Sequence, residues 1–180
     1  FSTPQWSSAV FNSTLADRQR DKLRVLSNLQ ATEELSLQFT LDYGQDRFSV
    51  PTASQYGLQS AKMWLANIDA NYALSEEWSL NGYLSTGTQS RNQSRYGGAQ
   101  TAFENRNVTV GLGVNGKPSD NLMVGGGISV IDDRSIYAQT ADTATPGNQA
   151  LLAASGGLPD IVFRRTELRG YGRYAWTKSD

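Results

Sequence analysis

The 180 residues contain no cysteine and no histidine. Without cysteine there is no disulfide, no thiolate metal ligand and no C-x-x-C-H attachment of haem. With histidine missing too, every nucleophilic or acid–base arrangement that needs either side chain is excluded from this chain. An enzyme is therefore the least expected class. No run approaches the roughly 18 consecutive apolar residues of a membrane helix. Phe1-Ser2-Thr3-Pro4 has neither the basic start nor the apolar core of a signal peptide. Charge is scarce: 18% of residues are charged, against about 25% in soluble domains. The net charge of −1 gives no basic footprint for nucleic acid and no acidic tail.

What remains is Ser, Thr, Asn, Gln and Gly in a pattern of period two. Leu35, Leu37, Phe39, Leu41 and Tyr43 alternate with Ser36, Gln38, Thr40 and Asp42. Trp64–Tyr72, Trp78–Ser85, Asn107–Val114, Leu122–Val130 and Glu167–Trp176 repeat the alternation. Each predicts a strand with one apolar face and one polar or small face. Weaker strands are expected near Trp6–Leu15 and Lys22–Gln30. Leu151 to Ala154 fit a helical turn within a loop. The connections alternate in length. Ala31–Glu34, Ser75–Glu77 and Lys117–Asp120 read as tight turns, and Thr177–Asp180 as another. Longer polar stretches lie around residues 44–60, 88–106 and 132–163.

Short turns on one side and long loops on the other fit an outer-membrane barrel. The expectation is an all-β fold: an antiparallel up-and-down transmembrane β-barrel, here a fragment of a larger one, with about eight strands in residues 1–180. The lipid bilayer is then a direct partner, and a closed barrel removes the edges that hydrocarbon forbids. Tyr72, Trp78, Tyr174 and Trp176 share the apolar faces at the turn end, where an interfacial aromatic girdle is expected. Arg165, Glu167, Arg169 and Arg173 share the polar face of the last strand, so they are the lumen-facing candidates for partner contact, with simple solvation, Glu167 offsetting a neighbour, as the alternative. A soluble β-sandwich binding module alternates in the same way and stays open as an alternative.

Other motifs carry little. Gly111-Leu112-Gly113-Val114-Asn115-Gly116 fits G-x-G-x-x-G, but no helix follows to aim its N-terminus at a pyrophosphate. The Asn-x-Ser/Thr matches at Asn12, Asn92 and Asn107 are expected by chance. Glu76-Glu77 and Asp132-Asp133 are adjacent carboxylates; neighbours cannot flank one substrate as a glycosidase pair must. Both pairs are expected to be solvated loop charges. No catalytic, cofactor-binding or metal residues are expected.

The segment Asn71-Tyr72-Ala73-Leu74-Ser75-Glu76-Glu77-Trp78-Ser79-Leu80-Asn81-Gly82-Tyr83 resembles the repeated hairpins of the MtrB/PioB outer-membrane barrels. Phe163–Ala175 is similar to a late strand of that family. The resemblance implies localisation in the bacterial outer membrane and a sheath that holds and insulates a multihaem c-type cytochrome. It implies a periplasmic multihaem cytochrome inside the barrel and an outer-surface multihaem cytochrome at the long loops. Haem is then carried by the partner and none is bound by this chain, for electron transfer to or from extracellular acceptors. A porin-like passive diffusion channel is the alternative function.

Overall fold

The computed structural model describes residues 17–49, 57–94, 100–140 and 147–176. Seven strands form one sheet in chain order: β1 (Asp17–Gln30), β2 (Leu35–Ser49), β3 (Gly57–Ala73), β4 (Trp78–Ser94), β5 (Gln100–Ser119), β6 (Leu122–Thr140) and β7 (Ile161–Tyr174). Every neighbouring pair is antiparallel. One helix, α1 (Asn148–Ser155), lies between β6 and β7. Left-handed glycines bracket it, and the Gly156 N–H donates to the Ala153 carbonyl to end it. The helical turn expected at Leu151–Ala154 is this helix. The strand expected at Trp6–Leu15 lies outside the described residues.

Two of the tight turns are copies of one device. Thr32 Oγ1 accepts from the Glu34 and Leu35 N–H groups at 3.2 and 3.1 Å. Ser75 Oγ accepts from Glu77 and Trp78, both at 3.2 Å. In each turn a hydroxyl satisfies donors that have left the ladder. The third turn differs from expectation. β5 runs on to Ser119, and only Asp120 and Asn121 form the turn. A register shift between Gly116 and Ser119 accommodates Pro118, which has no N–H for the ladder.

The strands are longer than their alternation suggests, 14 to 20 residues. They run through most of the stretches expected to be loops around 44–60 and 88–106. Only residues 50–56 and 95–99 separate those strands, whereas residues 141–160 separate β6 from β7. The asymmetry between the two ends therefore persists with smaller loops. Asp132 and Asp133 are likewise strand residues on opposite faces of β6, not loop charges. Polar residues continue a strand beyond the point where its apolar face ends, because the ladder needs only backbone groups.

No hydrophobic side chain is buried among the described residues. Ile68 is 44% exposed, Val110 45% and Leu112 64%. A β-sandwich requires a second sheet against these residues, and the seven strands form one layer. The polar face is the less accessible one: Ser36, Thr40, Asp42, Asn67, Asn81 and Ser85 are half-buried, and Gly87 and Gly111 are buried. That distribution is inverted relative to a water-soluble protein.

Candidate functional site: the two faces of the sheet

The register defines each face strand by strand. On the outer face, Leu35, Tyr72, Leu80, Val114, Gly126 and Gly170 lie in one row. The next row toward the long connections is Leu37, Ala70, Gly82, Leu112, Ile128 and Leu168. The apolar band does not follow these rows. It covers 35–43 on β2 but 122–130 on β6, whose residue 126 is level with residue 35. The band thus slides four residues over four strand steps, a mean of one residue per strand. A rise of about 3.3 Å per residue against a strand spacing of about 4.8 Å gives a tilt of about 35°. Membrane barrels tilt by this much. Nine residues at that tilt span about 22 Å along the membrane normal, close to the apolar height of an outer-membrane barrel.

Aromatic residues bound this band at both ends. Tyr72, Trp78 and Tyr174 occupy the outer face at the turn end. Trp176 meets Tyr174 edge to face, with ring centroids 5.4 Å apart. At the other end Tyr43 and Trp64 are direct cross-strand partners. Beyond them the outer face turns charged, with Asp21, Arg47, Lys62, Glu104, Arg106 and Arg134.

The inner face is polar and glycine-rich in its turn-side half. Ser85 Oγ donates to Asn67 Oδ1 at 2.6 Å, and Asn115 Nδ2 donates to Asn81 Oδ1 at 3.1 Å. Tyr171 reaches from β7 across Gly125 to donate its hydroxyl to Asn115 Oδ1 at 2.8 Å. Tyr83 lies over Gly111 in the same manner. The four residues singled out on β7 share this face. Arg165 and Arg169 both pair with Glu167, at 2.9 and 2.5 Å. Arg173 stands opposite Met123, further toward the turn end.

A second charged column escaped the sequence reading. Arg18, Arg20, Lys22 and Arg24 line the inner face of β1. Asp46 accepts from Arg18 at 2.7 Å and from Arg20 through both oxygens, at 2.6 and 3.0 Å. Asp42 accepts from Arg24 at 2.5 and 3.2 Å. The spacing R-x-R-x-K-x-R was the available signal. Among the described residues the inner face carries Arg18, Arg20, Lys22, Arg24, Arg91, Arg165, Arg169 and Arg173, against Asp42, Asp46, Asp69, Asp133 and Glu167. This wall is therefore cationic. Asp46→Asn is expected to cost about 1 kcal/mol in chemical unfolding, since two guanidiniums lose one shared anion. An unchanged midpoint would mean that the pairs add nothing to stability.

Toward the long connections the inner face becomes aromatic. Phe48, Phe103, Tyr137, Phe163 and Ile161 all lie on it. The Phe103 and Tyr137 rings are 5.2 Å apart. They help line a groove of about 520 Å³ with Leu58, Arg91 and Leu158, the last from the segment after α1. The sequence reading missed these residues because each sits beyond the apolar series on its strand. Among the described residues no group of His, Cys, Asp or Glu is placed to hold a metal ion.

An apolar exposed face, a less accessible polar face, a mean tilt of the apolar band and an up-and-down order define the wall of a transmembrane β-barrel. No helix among the described residues is long and apolar enough to cross a membrane. The family model described as "Putative outer membrane beta-barrel porin, MtrB/PioB" matches residues 2–180. The chain belongs to the MtrB/PioB family of the bacterial outer membrane. No curated protein and no solved structure matches it.

Proposed function

We propose that this barrel wall is part of a sheath that holds a multihaem c-type cytochrome and insulates its electron path across the outer membrane. One observation carries the proposal: Phe48, Phe103, Tyr137 and Phe163 on the inner face. A lumen filled only with water gains nothing from aromatic rings along its wall, whereas a folded protein within it does. The cationic excess of the same face favours a partner with an acidic surface. Arg165, Glu167, Arg169 and Arg173 contact that partner deeper in the lumen. Tyr72, Trp78, Tyr174 and Trp176 anchor the wall at the turn-side interface, and Tyr43 and Trp64 do so at the other. The haems belong to the partner, since these residues offer neither the cysteine pair nor the histidine that c-type haem uses. A second cytochrome at the long-connection side receives or supplies the electrons. The family's porin description keeps a passive channel as the rival function.

The test is purification of the full-length protein from native membranes in mild detergent, followed by a visible spectrum. A haem Soret band that stays with the barrel at fixed stoichiometry is expected. Phe103→Glu with Tyr137→Glu should release the cytochrome at least about tenfold more readily, since it buries two unpaired charges in the contact. A colourless barrel that conducts ions would reject the sheath in favour of the channel.

A further inference from the structure

Three arginines lie on adjacent strands of the outer face just beyond the apolar band. Arg106 and Arg134 are direct cross-strand partners on β5 and β6. Arg164 on β7 pairs in register with Asp132, two residues from Arg134. All three share the face of Val108, Val110 and Val130, so they point away from the lumen. Like charges directly opposite one another in a sheet repel. The carboxylates present do not bridge this pair: Arg106 binds Glu104 on its own strand, Arg134 binds Asp160 at 2.6 Å, and Arg164 binds Asp132 at 2.6 Å. The three arginine side chains remain more than half exposed, at 60, 52 and 77%.

Their height is what gives them meaning. Arg106 follows Val108 on the outer face of β5, and Arg164 follows Thr166 on β7. Each is the first charge past the apolar stretch of its strand. On β3, Lys62 holds the same place after Trp64, with no ion pair to any described residue. With the tilt removed, these cations form one belt at headgroup depth on the side of the long connections. That side faces outward in outer-membrane barrels.

We propose that Arg106, Arg134 and Arg164 form a binding site for the phosphate of an anionic lipid headgroup in the outer leaflet, a phosphorylated glycolipid of the lipid A type. This rests on the placement of the outer face against lipid, and not on any occupant of the lumen. Guanidinium forks match phosphate oxygens bidentately, and one phosphate between Arg106 and Arg134 relieves their repulsion. The acyl chains of the same lipid continue onto Val108, Val110 and Val130, so head and tail are met by adjoining surfaces.

The test uses the full-length protein reconstituted in phosphatidylcholine vesicles with added bisphosphorylated lipid A, dephosphorylated lipid A or inorganic phosphate. Thermal unfolding of the wild type should rise with bisphosphorylated lipid A alone. In native mass spectrometry after equal delipidation, Arg106→Gln/Arg134→Gln/Arg164→Gln should retain about tenfold less phosphorylated lipid than the wild type. The lumen variant Arg18→Gln/Arg20→Gln should retain as much as the wild type. Equal stabilisation by both lipid A forms, or by inorganic phosphate, would overturn the proposal, as would equal retention by the triple variant. The wild-type comparison stands even if the triple variant does not fold. Failure of the wild type to insert into any vesicle would instead overturn the membrane placement.

Discussion

Leu112→Arg is expected to lower the stability of the membrane-inserted protein by about 2–4 kcal/mol, whereas Thr109→Arg should cost less than about 1 kcal/mol. The two residues lie three apart on β5 and on opposite faces. Leu112 is at the middle of the apolar stretch of its strand, in a row with Ala70, Gly82, Ile128 and Leu168. A guanidinium there must be dragged to an interface or solvated by a defect in the bilayer. Thr109 faces the lumen beside Ser85 and Ile131, where water or a polar partner can receive a charge. The measurement is the chemical-unfolding midpoint in vesicles, followed by mobility on a gel with and without heating. Equal costs at the two sites would mean that neither face meets hydrocarbon. The contrast is sharp because a one-residue slip in register exchanges the faces completely.

The order of strands and the identity of the outer face were legible in the sequence because both are encoded locally. Leu35, Leu37, Phe39, Leu41 and Tyr43 alternate with polar residues however the chain folds, and the turn at Ser75–Glu77 states its own end. Strand length was not legible. The ladder from Gln45 to Ser49 pairs with Asp17–Asp21 through backbone groups, and no side-chain periodicity marks it. The same cause hid the aromatic residues of the inner face. Phe48 and Phe103 look like isolated loop residues until the register places Phe103 against Tyr137. Parity alone puts Glu167 on one face with Arg165 and Arg169, but the sharing of its carboxylate between the two is a matter of rotamers. The Arg106–Arg134 pair lies 28 residues apart and exists only through the β5–β6 register.

Both edges of the sheet bear on how the wall is completed. Among the described residues β1 and β7 each have one neighbour, and they do not pair with one another. In hydrocarbon an unpaired edge is excluded, so in the membrane both edges find further strands or each other. Closure also requires curvature, and the chain provides for it at glycines whose side chains would point inward. A Cβ on Gly87 would lie 2.6 Å from the Trp64 carbonyl oxygen and 3.3 Å from the Leu65 Cα. A Cβ on Gly127 would lie 2.8 Å from the Leu112 carbonyl oxygen. Both obstacles are backbone of the adjacent strand, and backbone cannot rotate away as a side chain can. Gly44 and Gly82 differ, since a Cβ there meets side-chain atoms of Met63 and Leu112 first.

Gly87→Val is accordingly expected to destabilise the folded wall by about 3 kcal/mol or more, through overpacking against the ladder of β3. Gly82→Ala, five residues away on the opposite face, should cost less than about 1 kcal/mol, because only the end of Leu112 need move. The comparison is read as the fraction of protein recovered in the heat-modifiable, protease-resistant form, together with the unfolding midpoint. Valine favours strands on propensity alone, so a sheet that needed only regular strands would gain from the change. A Gly87→Val protein as stable as wild type would show that curvature is set elsewhere. A large loss at Gly87 with little at Gly82 would assign the bend to the β3–β4 ladder. That ladder positions the lumen-facing side chains of β3 and β4 relative to whatever the barrel encloses.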